Sequence, residues 1–155
     1  MNRVTVFDQT MQKTYEWLHE LSDELGWNDS QRAYVGLRAT LHTLRDRLAV
    51  DEAADLGAQL PLLVRGIYFE GWDPSSTPVR VRHVEDFLRP IGDALFWEQR
   101  GEPERVARAV FALLARHLAA GEIDDVVGAL PHEIRDLFPA DVVARHTAVS
   151  VHPVH

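Results

Sequence analysis

Arg65 and Arg135 each stand four residues beyond a Leu-Pro pair, Leu60-Pro61 and Leu130-Pro131. A guanidinium held at a fixed offset from a rigid turn can grip a carboxylate or phosphate through two parallel hydrogen bonds. The two arginines are therefore candidate ligand-binding anchors for a small anion. The structural alternative is that each pairs with an acid of its own stretch, Glu52 or Asp55 in one case and Glu122 or Asp125 in the other, and pins a short helix. Asp55 and Asp125 would serve as a catalytic carboxylate pair only if they faced one another at roughly 5–10 Å, and their chain spacing does not place them so. The eight histidines are scattered; only His152 and His155 lie close together, in a terminal tail with no helix to set ligand geometry. There is no H-E-x-x-H, no phosphate-binding glycine loop and no G-x-S-x-G elbow. With no cysteine and five serines, little is available for covalent catalysis. No catalytic residue, metal or cofactor is expected.

The aromatic residues suggest surfaces instead. Tyr68, Phe69 and Trp72 cluster at the edge of a polar linker. They are candidates for an exposed contact surface or subunit interface; otherwise they seal a seam between two halves of the chain. Trp27 and Trp97 follow the first helix of each half and either plug a helix pair or line a cleft. Arg38 and Arg108 lie one position off an apolar stripe, as expected for a structural ion pair or a snorkelling side chain.

The bulk composition narrows the partners. Lysine and arginine number 16 against 24 acids, a formal charge of −8, and Lys13 is the one lysine. Such a balance argues against general nucleic-acid binding, which draws on a basic footprint to release counterions, and against docking to anionic lipid; it leaves room for a local basic patch. No apolar run approaches the roughly 20 residues that span a bilayer, and "MNRVTVFDQTMQKTYEW" is too polar for a secretory leader. A cytoplasmic location is expected.

The elements that must position these residues are helical. Phe7, Met11, Leu18, Leu21 and Leu25 share one face of a first segment, which Gly26 stops. Asn28-Asp29-Ser30 offers N-caps for a second, carrying Leu37, Leu41, Leu44 and Leu48. A third opens near Asp51-Glu52, where acids suit the positive helix end, and reaches Pro61. Gly71, Pro74 and Pro78 mark the linker, and "VRV" within it is too short for a strand. Val84, Phe87, Leu88, Ile91 and Leu95 begin the next helix, bent or broken by Pro90. Glu102-Pro103-Glu104 starts another; Ile123, Val126, Val127 and Leu130 form a short one ended by Pro131. "ADVVARH" reads as a last amphipathic fragment before a frayed tail from Thr147.

Sliding the chain by 70 residues aligns its halves without a gap over residues 18–138. Trp27 meets Trp97, Arg38 meets Arg108, Leu60-Pro61 meets Leu130-Pro131, and Arg65 meets Arg135. An internal duplication is the reading this register supports. Its matched polar positions are Asp23/Asp93, Arg38/Arg108, Glu52/Glu122, Asp55/Asp125 and Arg65/Arg135.

The pieces at residues 17–26, 37–48, 52–72 and 130–138, with "WLHELSDELG", "EAADLGAQLPLLVRGIYFEGW" and a second Leu-Pro followed by "IRDLF", resemble DUF2267, a bacterial family of unknown function. The resemblance spans nearly the whole chain, implies a duplicated all-helical domain and brings no catalytic residues. The expected fold is all-α, with seven to eight helices in two similar units packed about a pseudo-twofold. The expected units are residues 1–72 and 82–140, with a linker at 73–81 and a fragment and flexible tail at 141–155. Binding or protein interaction, with an unknown partner or through self-association, is the expected function. A small-anion binder using Arg65 and Arg135 is the alternative, and an unrecognised enzyme a third reading.

Overall fold

Helix α1 (Thr5–Leu25) stops at Gly26, whose left-handed backbone (φ 67°) lets the N–H groups of Gly26 and Trp27 return to the carbonyls of Asp23 and Ser22. Asp29 then caps α2 (Ser30–Arg47), its Oδ1 accepting from the N–H groups of Gln31 and Arg32 at 3.0 and 3.2 Å. Short α3 (Val50–Gln59) carries Asp51 and Glu52 in its first turn. Pro61 occupies the N-cap of α4 (Leu62–Phe69), where a missing N–H costs nothing. These particulars belong to a computed structural model that describes residues 2–95 and 102–151.

The linker holds a single 3-10 turn, Pro74–Ser76, whose first free N–H, on Ser75, is taken by Asp73. Helix α5 (Val84–Ala94) follows with Pro90 inside it. Then come α6 (Glu102–His117), α7 (Ala120–Ala129), the one-turn α8 (His132–Arg135) and α9 (Ala140–Val151). Among the described residues there is no strand, and the class is all-α. The nine α-helices among the described residues exceed the expected seven to eight, in part because the terminal segment is a full helix. Thr147, expected to begin a frayed tail, sits inside α9 and donates to the Val143 carbonyl at 3.0 Å. The bounds of α3 and α7 repeat at the 70-residue offset, as do the Leu48/Leu118 helix ends.

One apolar cluster draws on both halves. Trp17 and Leu21 of α1, Leu37, Leu41 and Leu44 of α2, Phe87 and Ile91 of α5, and Val110, Phe111 and Leu114 of α6 all belong to it. Helix α1 packs on α2 and α6, α2 also packs on α5 and α6, and α3 packs on α7. Phe7 and Met11, which by spacing share a face with Leu18, Leu21 and Leu25, are 60% and 48% exposed. The buried stripe begins at Thr14 and continues through Trp17, Leu18, Leu21 and Leu25. The apolar period is real, but α1 begins earlier than its counterpart α5, so its first turns carry the pattern beyond the packed part of the helix.

Candidate functional site

Both Leu-Pro joints are closed by their arginines. Arg65 donates from Nε to the Gly57 carbonyl at 3.2 Å and from its fork to Ala58 and Leu60 at 3.2 and 3.1 Å. Arg135 donates to Leu130 at 2.7 Å and to Gly128 at 3.2 Å. Each caps the C-terminal end of the preceding helix, where the last carbonyls lack intrahelical donors and the helix dipole is negative. The partners are thus main-chain oxygens rather than Glu52, Asp55 or their counterparts.

The aromatic trio finishes the first joint. Tyr68 is fully buried, and its hydroxyl donates to the Ala53 carbonyl at 2.8 Å; burial pushes this phenol well above its ordinary range. Phe69 covers Gly57 so closely that a Cβ there would stand 2.2 Å from its ring. The Trp72 ring lies 5.3 Å from that of Phe69. Phe69 and Trp72 are half-buried against the core, so any surface built on the trio narrows to their outer edges. Trp27 is half-buried as well, with the Arg32 guanidinium 4.2 Å over its ring. Trp97, His152 and His155 lie outside the described residues.

Arg45, unremarked in the sequence, ties this joint to α2. Its side chain is 5% exposed. It donates to the carbonyls of Tyr68 and Glu70 at 2.8 and 2.9 Å and to the Asp46 carboxylate at 2.9 and 3.3 Å. The tie holds the main chain at Glu70, and Glu70 lines the largest described cavity.

That cavity, about 580 Å³, is a groove between α2 and α5 lined by Tyr34, Arg38, His42, Asp46, Arg47 and Glu70, among others. Arg38 grips Glu70 Oε1 at 2.5 and 3.2 Å, and this bond holds the Glu70 carboxyl below its usual range. His42 donates from Nε2 to the Ile67 carbonyl at 2.6 Å, which leaves Nδ1 as an acceptor. Burial, helped by the charges of Arg45 and Arg38, keeps this imidazole below its ordinary pKa and so neutral at pH 7. Arg47 is the least satisfied member. It reaches the Thr43 carbonyl at 3.3 Å, its Nε is buried without a partner, and burial lowers its pKa. The adjacent Asp46 is committed to Arg45.

The second half does not repeat this lining. Arg108, the counterpart of Arg38, donates to the Asp136 carbonyl at 2.8 Å and pairs with Glu104. At the 70-residue offset His42, Thr43, Asp46, Arg47 and Glu70 become Ala112, Leu113, Arg116, His117 and Ala140. Only Arg38 among these positions was visible as matched; the others are signalled by their mismatch.

The matched acids Glu52, Asp55, Glu122 and Asp125 lie on two helices that pack together, α3 and α7. Glu52 on α3 feels Asp125 and Asp55, while Glu122 on α7 feels Asp125, Asp55 and Glu52. Desolvation first, and this mutual repulsion second, raise the carboxyls of Glu52 and Glu122. A carboxyl whose folded pKa lies above its unfolded value contributes stability that is complete below the unfolded pKa and is lost as pH rises through the folded one. Glu52→Gln and Glu122→Gln are therefore expected to stabilise the protein at pH 7 by about 0.5 kcal/mol each, allowing for screening, or about 1–2 °C in Tm. Melting curves at pH 7 and pH 3 check this, since the gain should vanish at pH 3.

Metal-ligating groups come together once among the described residues. His83, Glu85 and Glu133 offer ligand atoms within 4.8 Å of one another, all on exposed side chains. Glu133 Oε2 there accepts from the Val84 N–H at 3.1 Å and lies 3.2 Å from His83 Nδ1. The sequence hid this group because Glu133 comes from a separate helix.

A family model described as "Uncharacterized conserved protein (DUF2267)" matches residues 14–137. The match opens where the buried stripe of α1 begins and closes before α9. No curated protein matches the chain.

Proposed function

The chain belongs to the DUF2267 family, and from that premise we propose that it is a binding domain that takes a small polar ligand in the groove between α2 and α5. One observation carries this reading. The groove's polar side chains, His42, Thr43, Asp46, Arg47 and Glu70, sit where the other half of the same chain uses Ala112, Leu113, Arg116, His117 and Ala140. The matched positions at the 70-residue offset also lie on helices, α2 and α6, for all but the last of the set, so these side chains are not what a helix needs in order to form. A cavity with a few convergent polar groups is the usual form of a ligand site. His42 Nδ1 calls for a donor on the ligand, the Arg38–Glu70 pair offers both polarities, and Tyr34, Val35 and Pro90 supply an apolar wall. No group in the groove is arranged as nucleophile and base, which favours binding over catalysis.

The experiment is a thermal-shift screen of small polar metabolites on the wild type and on Arg38→Met, whose exposed ion pair contributes little to folding. A ligand at 100 times its Kd stabilises by about 2.7 kcal/mol, or about 5–10 °C here. Ligands of the groove shift the wild type and lose most of that shift in the variant. Hits that shift both proteins equally, or a screen with no hits, overturn the reading.

A further inference from the structure

A second cavity, about 250 Å³, lies where the linker passes the C-terminal ends of α2 and α7. Its walls include Arg47, Arg80, Arg82, Val81 and Pro131, and no acid is among its lining residues. Arg47 is its boundary with the groove.

The neighbouring charges make this convergence unusual. Arg38 is held by Glu70, Arg45 by Asp46, Arg89 by Asp86, Arg105 by Glu102, Arg116 by Glu24 and Arg145 by Asp124. Arg65 and Arg135 are spent on helix-end carbonyls. Among the described residues, Arg80 and Arg82 make neither kind of bond, and Arg47 makes only its long contact with Thr43. In a chain where acids outnumber bases by 24 to 16, three arginines thus line one cavity whose lining includes no acid.

Helix capping does not absorb them. The carbonyls of Arg45 and Asp46 at the end of α2 accept from the N–H groups of Leu48 and Val79. Those of Val127, Gly128 and Leu130 at the end of α7 accept from Leu130 N–H and from Arg135. Glu133 is engaged with His83 and the Val84 N–H. The wall is also held in place: Val79 N–H binds the Asp46 carbonyl at 2.7 Å, and Val81 packs on the core.

We propose that this cavity binds a phosphoryl group, as inorganic phosphate or the head of a phosphomonoester, between Arg47, Arg80 and Arg82. A tetrahedral dianion presents enough oxygens and charge for three guanidinium forks, whereas a carboxylate presents two oxygens and one charge. The site is separate from the α2–α5 groove and stands without it, sharing only Arg47.

The test is calorimetric titration with inorganic phosphate, phenyl phosphate and acetate at constant ionic strength, on the full chain and on Arg80→Gln/Arg82→Gln. Both arginines are exposed, so the double variant should melt where the wild type does. Saturable 1:1 binding of phosphate or phenyl phosphate, weakened at least tenfold in the variant, is expected, with acetate much weaker. Tighter binding of phenyl phosphate that falls back to the phosphate value in Arg38→Met identifies a phosphomonoester reaching into the groove. Equal affinity for both identifies free phosphate. Non-saturable heats, equal binding of acetate, or binding untouched by the double variant overturns the proposal. Groove ligands found by thermal shift should still bind the double variant, so failure here is distinguishable from failure of the groove.

Discussion

Arg45→Ala is expected to cost about 3 kcal/mol of stability, a fall of roughly 6–12 °C in Tm. The side chain is almost entirely buried and satisfies the carbonyls of Tyr68 and Glu70 together with the Asp46 carboxylate. Its removal leaves two carbonyls and an anion without their donors, and the penalty comes from those orphans more than from the lost bonds. Asp46 is partly open to water, which keeps the figure at the low end for a broken buried pair. Arg45→Lys restores a charge but not the fork, so it should recover only part of the loss. The effect should extend past stability: with the end of α4 released, Glu70 leaves Arg38 and the groove loses part of its polar lining. Chemical denaturation of the three proteins measures the first consequence. A loss under about 1 kcal/mol would mean that water replaces the guanidinium readily.

Trp17→Ala is expected to cost about 3–5 kcal/mol and to move the whole protein in one transition. Trp17 is 1% exposed on α1, and its ring lies 4.9 Å from that of His117 on α6. It therefore sits where the two halves of the chain pack on one another. Because the core is continuous across them, damage at this point should not leave a stable second half behind. Calorimetry checks both statements. A single shifted transition fits units 1–72 and 82–140 that bury their stripes against each other, and two resolved transitions would mean that they unfold independently. Trp17 Nε1 is buried without a partner, so Trp17→Phe, which deletes that donor, should cost less than its lost volume suggests.

The features read correctly from the chain are those fixed by local chemistry. Gly26 and Asp29 are caps whose geometry depends on a few neighbouring residues, and the Leu-Pro joints recur with the same turn. What escaped depends on distance or direction. Arg45 reaches carbonyls 23 and 25 residues away, and Arg38 finds Glu70 at a separation of 32. His83 meets Glu133 across 50. No periodicity encodes such meetings. Arg65 and Arg135 were visible as charges, but a charge does not announce whether an acid, a ligand or a helix end will receive it. Phe7 and Met11 show the opposite limit: amphipathic spacing continues past the end of the surface it was expected to meet.

One further consequence follows from Arg47 forming a wall of both cavities. A guanidinium drawn toward an anion on one side is withdrawn from the other. Occupants that each engage it must then be thermodynamically coupled, each weakening the other by the same factor whichever binds first. Arg47, whose Nε the fold leaves buried without a partner, would thereby act as the wire between two sites, and the sign of their cooperativity would be negative.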